Sequence, residues 1–176
     1  MLFADLRGST AMSERLSAGD FAGAMNRFYA SATDVLIRTD AYVDKVVGDE
    51  VVGLYFPLFA GPVHARRAVE AAWALLRAAS HDSVGRPLFP VSVGVHTGTA
   101  YVGTVAGAEG AVTDIAALGH DVNLTARLSS AAGSGEALIS EAACRASGLD
   151  LDHLRPRQIE LRGHIEVLNV RVMQIG

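Results

Sequence analysis

The sequence predicts one α/β domain, of the α+β kind: a mixed, mainly antiparallel sheet covered by helices. Three observations lead there. Strand-like and helix-like segments interleave along the chain, hairpin patterns recur between them, and 176 residues suit one compact domain better than two. No internal repeat, linker or low-complexity tract divides the chain, so residues 1–176 read as a single domain.

Leu2-Phe3-Ala4 reads as the end of an apolar strand that looks cut short, broken at Asp5-Leu6-Arg7-Gly8-Ser9-Thr10, where small and polar residues signal a turn into a helix. From Asp20 onward Phe21, Met25, Phe28, Ala32, Val35 and Leu36 recur at steps of three and four, one stripe of an amphipathic helix. Residues 41–47 and 51–56 are rich in valine and aromatics around Gly48-Asp49, the pattern of a hairpin with a tight turn. Gly61-Pro62 then punctuates the chain before a second helix, whose expected stripe is Val63, Arg66, Val69, Trp73 and Leu76, ending near Ser80. A polar connection over 81–90 precedes strand-like residues 91–95 and 99–105, which predict a second hairpin around Gly98. Helix is expected over 121–132 and 141–146, a short strand over 137–139, and a final strand pair over 157–175 around Gly163.

Composition excludes several classes of function. Fifteen Lys plus Arg against nineteen Asp plus Glu leave a net charge of −4, so no basic field exists to hold nucleic acid by counterion release. Apolar runs such as 91–95 fall far short of the roughly 20 residues that span a bilayer, so no membrane segment is expected. The lone cysteine, Cys144, cannot form an internal disulfide, and the N-terminus lacks the basic flank and apolar length of a signal peptide. A soluble protein of the reducing cytoplasm is the expectation.

Taken singly, the polar positions have ordinary explanations. Asp5 and Ser9 suit helix caps, Gly48-Asp49 suits a turn, Lys45 suits a solvated strand position, and Asn123 with Arg127 share a helix face four residues apart. Together they ask for more. A carboxylate at a strand end and another in a neighbouring hairpin turn can converge on a hard divalent ion, and Mg²⁺ favours one or two carboxylates plus phosphate oxygens. The backbone N–H groups of Arg7, Gly8, Ser9 and Thr10, opening into a helix, would aim donors at a phosphate beside that ion. An Asn and an Arg side by side suit stabilisation of charge on a transferring phosphoryl group.

Four segments, in order and spacing, carry a specific likeness: Phe3-Ala4-Asp5-Leu6-Arg7-Gly8-Ser9-Thr10; Asp44-Lys45-Val46-Val47-Gly48-Asp49; Gly94-Val95-His96-Thr97-Gly98; and Gly119-His120-Asp121-Val122-Asn123-Leu124-Thr125-Ala126-Arg127-Leu128. With Gly135-Glu136-Ala137-Leu138-Ile139-Ser140 and Leu161-Arg162-Gly163 they resemble the class III adenylate/guanylate cyclase catalytic domain over nearly the whole chain. That resemblance implies a ferredoxin-like nucleotide cyclase fold and conversion of ATP to cyclic AMP and pyrophosphate. It implies two Mg²⁺ or Mn²⁺ ions held by Asp5, Asp49 and the Leu6 carbonyl. It implies base reading by Lys45, where lysine goes with adenine and an acidic residue with guanine. Asn123 falls on the ribose-orienting asparagine, Arg127 on the arginine that stabilises charge at the α-phosphate, and Arg162 on a contact to the terminal phosphates.

It further implies a head-to-tail homodimer whose two sites are shared between protomers, and a possible upstream regulatory domain. Three positions depart from the pattern. The second purine-reading position, usually Asp or Thr, is Ala116, with Asp114 two residues earlier; Thr99 stands where some members carry a phosphate-binding arginine; and little of the first strand precedes Asp5. A guanylate or promiscuous purine cyclase, and a non-catalytic nucleotide-sensing dimerisation module, are the alternatives these departures leave open.

Overall fold

The structure is a computed structural model that describes residues 1–80, 90–106, 113–160 and 167–175. Strand β1 (Leu2–Leu6) lies third in a seven-stranded sheet, antiparallel to β3 (Glu50–Leu54) on one side and to the central strand β4 (Val91–Val95) on the other. Beyond β3 comes β2 (Tyr42–Val47). Beyond β4 come β7 (Glu136–Ser140), which runs parallel to it, then β9 (Val167–Gln174) and β8 (Arg155–Glu160). One parallel pair among antiparallel ones makes the sheet mixed, as the sequence predicts.

Alternation along β1 divides its side chains between two faces. Leu2, Ala4 and Leu6 enter the main core beneath α2 (Ala18–Arg38), α4 (His64–Ser80) and α6 (Glu141–Ser147), while Phe3 packs with Val52, Leu54 and Val122 on the opposite face. That opposite face is covered by α5 (His120–Ala131), which rests on β1, β4 and β7. Helix α2 starts where Ser17 caps it, its hydroxyl accepting the Asp20 N–H at 3.2 Å, and buries Ala24, Met25, Phe28, Ala32 and Leu36. The short helices α1 (Ser9–Arg15) and α3 (Pro57–Ala60) link strands to longer helices.

Three sequence expectations are corrected. Residues 91–95 and 99–105 do not form a hairpin around Gly98. Strand β4 is filled on both sides by β1 and β7, and β5 (Tyr101–Ala106) instead pairs antiparallel with β6 (Thr113–Leu118) in a separate two-stranded ribbon. The stripe of α4 is also displaced. Ala65, Ala68, Val69, Ala72, Leu75 and Leu76 are buried while Val63 and Trp73 are exposed, because the face of α4 that packs on α2 and β4 carries the alanines with Val69, Leu75 and Leu76 and turns Val63 and Trp73 away. The strand expected at 51–56 stops at Leu54, and the final pair forms as β8 and β9, with Gly163 outside the described residues.

Candidate active site

Asp5, near the end of β1, and Asp49, in the β2–β3 turn, arrive at one place. Asp5 is the fourth residue of β1, in register with Glu50 of β3, and the Leu6 N–H donates to the Asp49 carbonyl at 2.9 Å. The β2–β3 turn places Gly48 in the left-handed region, φ 63°, where a glycine turns the chain without strain. Two side chains brace that turn: the Tyr29 hydroxyl of α2 donates to the Gly48 carbonyl, and the Ser9 hydroxyl donates to the Asp49 carboxylate. Ser9 is thus no cap; it is the first residue of α1 and steadies an acid.

Electrostatics at this corner favours a cation. Burial raises the pKa of the Asp5 carboxyl above its ordinary value and the Asp49 charge raises it further, while the Arg7 guanidinium opposes both. Glu50 adds a third carboxyl that the sequence reading passed over; burial, then the charges of Asp5 and Asp49, push it up to about 7. The signal was present in the run Gly48-Asp49-Glu50, since antiparallel register places Glu50 opposite Asp5. Neighbouring carboxyl groups are the donors a hard divalent ion takes, although among the described residues no group of three or more His, Cys, Asp or Glu side chains is arranged to hold a metal ion.

Arg7 departs from the expected phosphate cradle. Its N–H donates to the Pro90 carbonyl at 2.7 Å, so that donor is committed. Its side chain crosses to α5 and meets the Ser129, Ser130 and Ala132 carbonyls. Gly8 forms the left-handed entry to α1, and the Ser9 and Thr10 N–H groups belong to its first turn, where helical N–H groups lack an intrahelical acceptor.

The remaining predicted residues sit on other elements. Lys45 lies on β2, at the sheet edge and in register with Val52, just after a bulge at Asp44. Ala116, 5% exposed, lies on β6 opposite Gly103. Asn123 is exposed and Arg127 half-buried on α5, one turn apart, so within one chain the acidic corner and this pair occupy different elements. Arg162 lies outside the described residues. Thr99 has a structural engagement: its N–H donates to Asp121 Oδ2 at 2.7 Å, and Asp121 Oδ1 lies 3.5 Å from Nε2 of buried His96. That tie fixes the start of α5 two residues before Asn123, and no local pattern announced it. A cavity of about 560 Å³ between α6, β8 and β9, lined by Cys144, Arg157 and Arg171 among others, contains none of the candidate residues.

Comparison with known proteins accounts for this arrangement. The family model "Adenylate and Guanylate cyclase catalytic domain" matches residues 1–173. Among curated proteins, the terminal-differentiation specific adenylate cyclase of Dictyostelium discoideum is 26% identical over 97% of this chain, and an adenylate cyclase of Anabaena cylindrica 27% identical over 73%. The chain spans only 8% and 26% of the lengths of those two relatives. Among solved structures, the guanylyl cyclase Cya2 superposes with a TM-score of 0.83 at 26% identity, covering 99% of this chain and 91% of that one. The adenylyl cyclase CyaB from P. aeruginosa gives 0.82 at 27%, covering 99% and 93%. With the match running through all four motif segments and the fold shared end to end, the chain belongs to the class III adenylate and guanylate cyclase catalytic domain family.

Proposed function

We propose that this domain cyclises ATP to 3′,5′-cyclic AMP and pyrophosphate as a homodimer with two shared sites. The observation that carries this reading is the convergence of Asp5, Leu6 and Asp49 on one acidic corner, while Asn123 and Arg127 stand on a separate helix of the same chain. One chain therefore holds both halves of the machinery, and a twofold arrangement would join the halves of two copies.

In that site Asp5, Asp49 and the Leu6 carbonyl would hold the divalent ions, which would lower the pKa of the attacking hydroxyl and neutralise phosphate charge. Asn123 orients the ribose so that its 3′-oxygen, losing its proton to solvent, forms a bond to the α-phosphorus. The bond from that phosphorus to the bridging oxygen breaks, and pyrophosphate leaves with the electron pair. Arg127 donates to the α-phosphate oxygens as charge builds there. Lys45 donates to the purine ring edge, which favours adenine, and Arg162 meets the terminal phosphates. The Gly8, Ser9 and Thr10 N–H groups remain in this reading as donors near the phosphates, without Arg7.

Ala116 favours a second reading, in which GTP is also cyclised. Its methyl accepts no hydrogen bond from a base amino group, and one missing contact of this kind weakens discrimination by about 1–3 kcal/mol. One experiment tests both readings: the purified protein is given ATP or GTP with Mn²⁺ or Mg²⁺ over a range of protein concentrations, alongside Lys45→Glu. We expect cyclic AMP in excess of cyclic GTP, a rate per subunit that rises with concentration, and an ATP:GTP ratio of kcat/KM that falls in the variant. Nucleotide binding without cyclic product from either substrate would favour the sensing module. A ratio unmoved by Lys45→Glu would remove that residue from base reading.

A further inference from the structure

Arg7 is the residue whose structural engagement most exceeds any role assigned to it above. It leaves β1 immediately after the acidic corner and spans to the far end of α5, 122 to 125 residues later in sequence. Its Nη2 lies 2.7, 2.6 and 2.9 Å from the carbonyl oxygens of Ser129, Ser130 and Ala132, and its Nε donates to Ser92 Oγ at 2.8 Å. The last carbonyls of a helix have no intrahelical donors and carry the negative end of its dipole, so a guanidinium there satisfies both needs. Its Nη1 lies 3.8 Å from Asp5 Oδ2. A single planar group thus touches the candidate metal carboxylate and the C-terminal turn of the helix that presents Asn123 and Arg127.

We propose that Arg7 is a positioning residue, whose guanidinium sets the axial seat of α5 and thereby the reach of Asn123 and Arg127. This rests on the shared-site reading for its functional half. In that reading the α5 of one protomer serves the site whose metal corner belongs to its partner. Arg7 therefore acts mainly on the site opposite the carboxylate it neighbours, and it joins the two sites through one side chain. Lysine at this position keeps the charge but loses the planar fork, and cannot bond Ser92 from Nε while also meeting three carbonyls.

The test uses Arg7→Lys in mixed dimers of differently tagged chains. A dimer of one Asp49→Ala protomer and one Arg127→Ala protomer retains a single complete site, built from the α5 of the first and the acidic corner of the second. Placing Arg7→Lys in the Asp49→Ala protomer is expected to lower kcat about tenfold or more, with nucleotide KM changed less than about threefold. Placing it in the Arg127→Ala protomer is expected to change kcat less than about threefold. Equal losses in both placements, or the larger loss in the second, would overturn the proposal. Amide hydrogen exchange of the Arg7→Lys homodimer supplies a readout independent of activity. Exchange about tenfold faster over residues 128–132, with α2 and α4 unchanged, supports the clamp; unchanged exchange over 128–132 overturns it whatever the rates show. If the reference mixed dimer is inactive while the wild-type homodimer is active, the shared-site reading fails, and with it the functional half of the proposal. The exchange result then still decides whether Arg7 seats the helix.

Discussion

His96 shows how a single buried side chain links chemistry at the end of β4 to the start of α5. Only 7% exposed, its ring stands with Nδ1 2.8 Å from Ser140 Oγ and Nε2 3.5 Å from Asp121 Oδ1. Burial lowers its pKa below the ordinary histidine value; the Asp121 charge opposes that fall, and nearby His120 reinforces it. A histidine held neutral in the fold binds its proton less readily than in the unfolded chain. Its contribution to stability is therefore complete above about pH 6.5 and is lost as pH falls from there through the lower folded value. Glu50, pushed up to about 7, gains stability over the same fall in pH and the Met1 amino group, lowered to about 5, loses it, so the His96 share is read as a difference. Between pH 7.5 and pH 5.5 we expect the change in Tm of His96→Gln to be less negative than that of the unsubstituted protein, even if its Tm at pH 7.5 is lower. Thermal melts at the two pH values check this, and a pH slope unaltered in the variant would assign the sensitivity to another group.

Helix α5 is seated by backbone contact as well as by Arg7. A Cβ placed on Gly94 of β4 would lie 2.4 Å from the Ser129 nitrogen and 2.5 Å from the Thr125 oxygen, both main-chain atoms that cannot swing aside. Gly94→Ala must therefore lift α5 from the sheet. The expected cost is about 1–3 kcal/mol in urea unfolding, with a fall in kcat about tenfold or more at temperatures where the variant stays folded. Full activity in a folded Gly94→Ala protein would show that the seat of α5 tolerates such a shift. The same element marks where sequence reading reached and where it stopped. Asp5 at a strand end, Asp49 in a tight turn and Asn123 with Arg127 on one helix face are local patterns, so they were legible. The misplaced hairpin at Gly98 has a non-local cause: both edges of β4 are taken by β1 and parallel β7 and its faces are covered by α4 and α5, and nothing in residues 91–105 encodes those partners. The reach of Arg7 to Ser129 and of Asp121 to Thr99 escaped for the same reason, being set by tertiary contact rather than by period or turn chemistry.

At the scale of the molecule, the β5–β6 ribbon offers apolar side chains from both of its faces. Tyr101 is 59% and Leu118 49% exposed as a cross-strand pair, and Val102 and Ile115 are exposed on the other side. Two strands alone are marginal in water, and a ribbon apolar on both faces is stabilised by what covers it. Within the chain Ala100 and Ala117 pack toward Phe3, Val52 and Val122, which leaves the Tyr101 and Leu118 face for a second copy in the proposed dimer. Leu118→Lys and Tyr101→Lys should then leave the fold intact, with far-UV melts within about 3 °C of the unsubstituted protein, because neither side chain is in the core. Sedimentation should shift toward monomer, and activity per subunit should fall about tenfold or more at low protein concentration and recover as concentration rises, as mass action on a weakened interface requires. Loss of activity with no change in sedimentation would place these residues at the nucleotide rather than at the interface. A dimer of undiminished activity would mean that the ribbon is covered by neither, and that the two halves of the site meet through another face of the sheet.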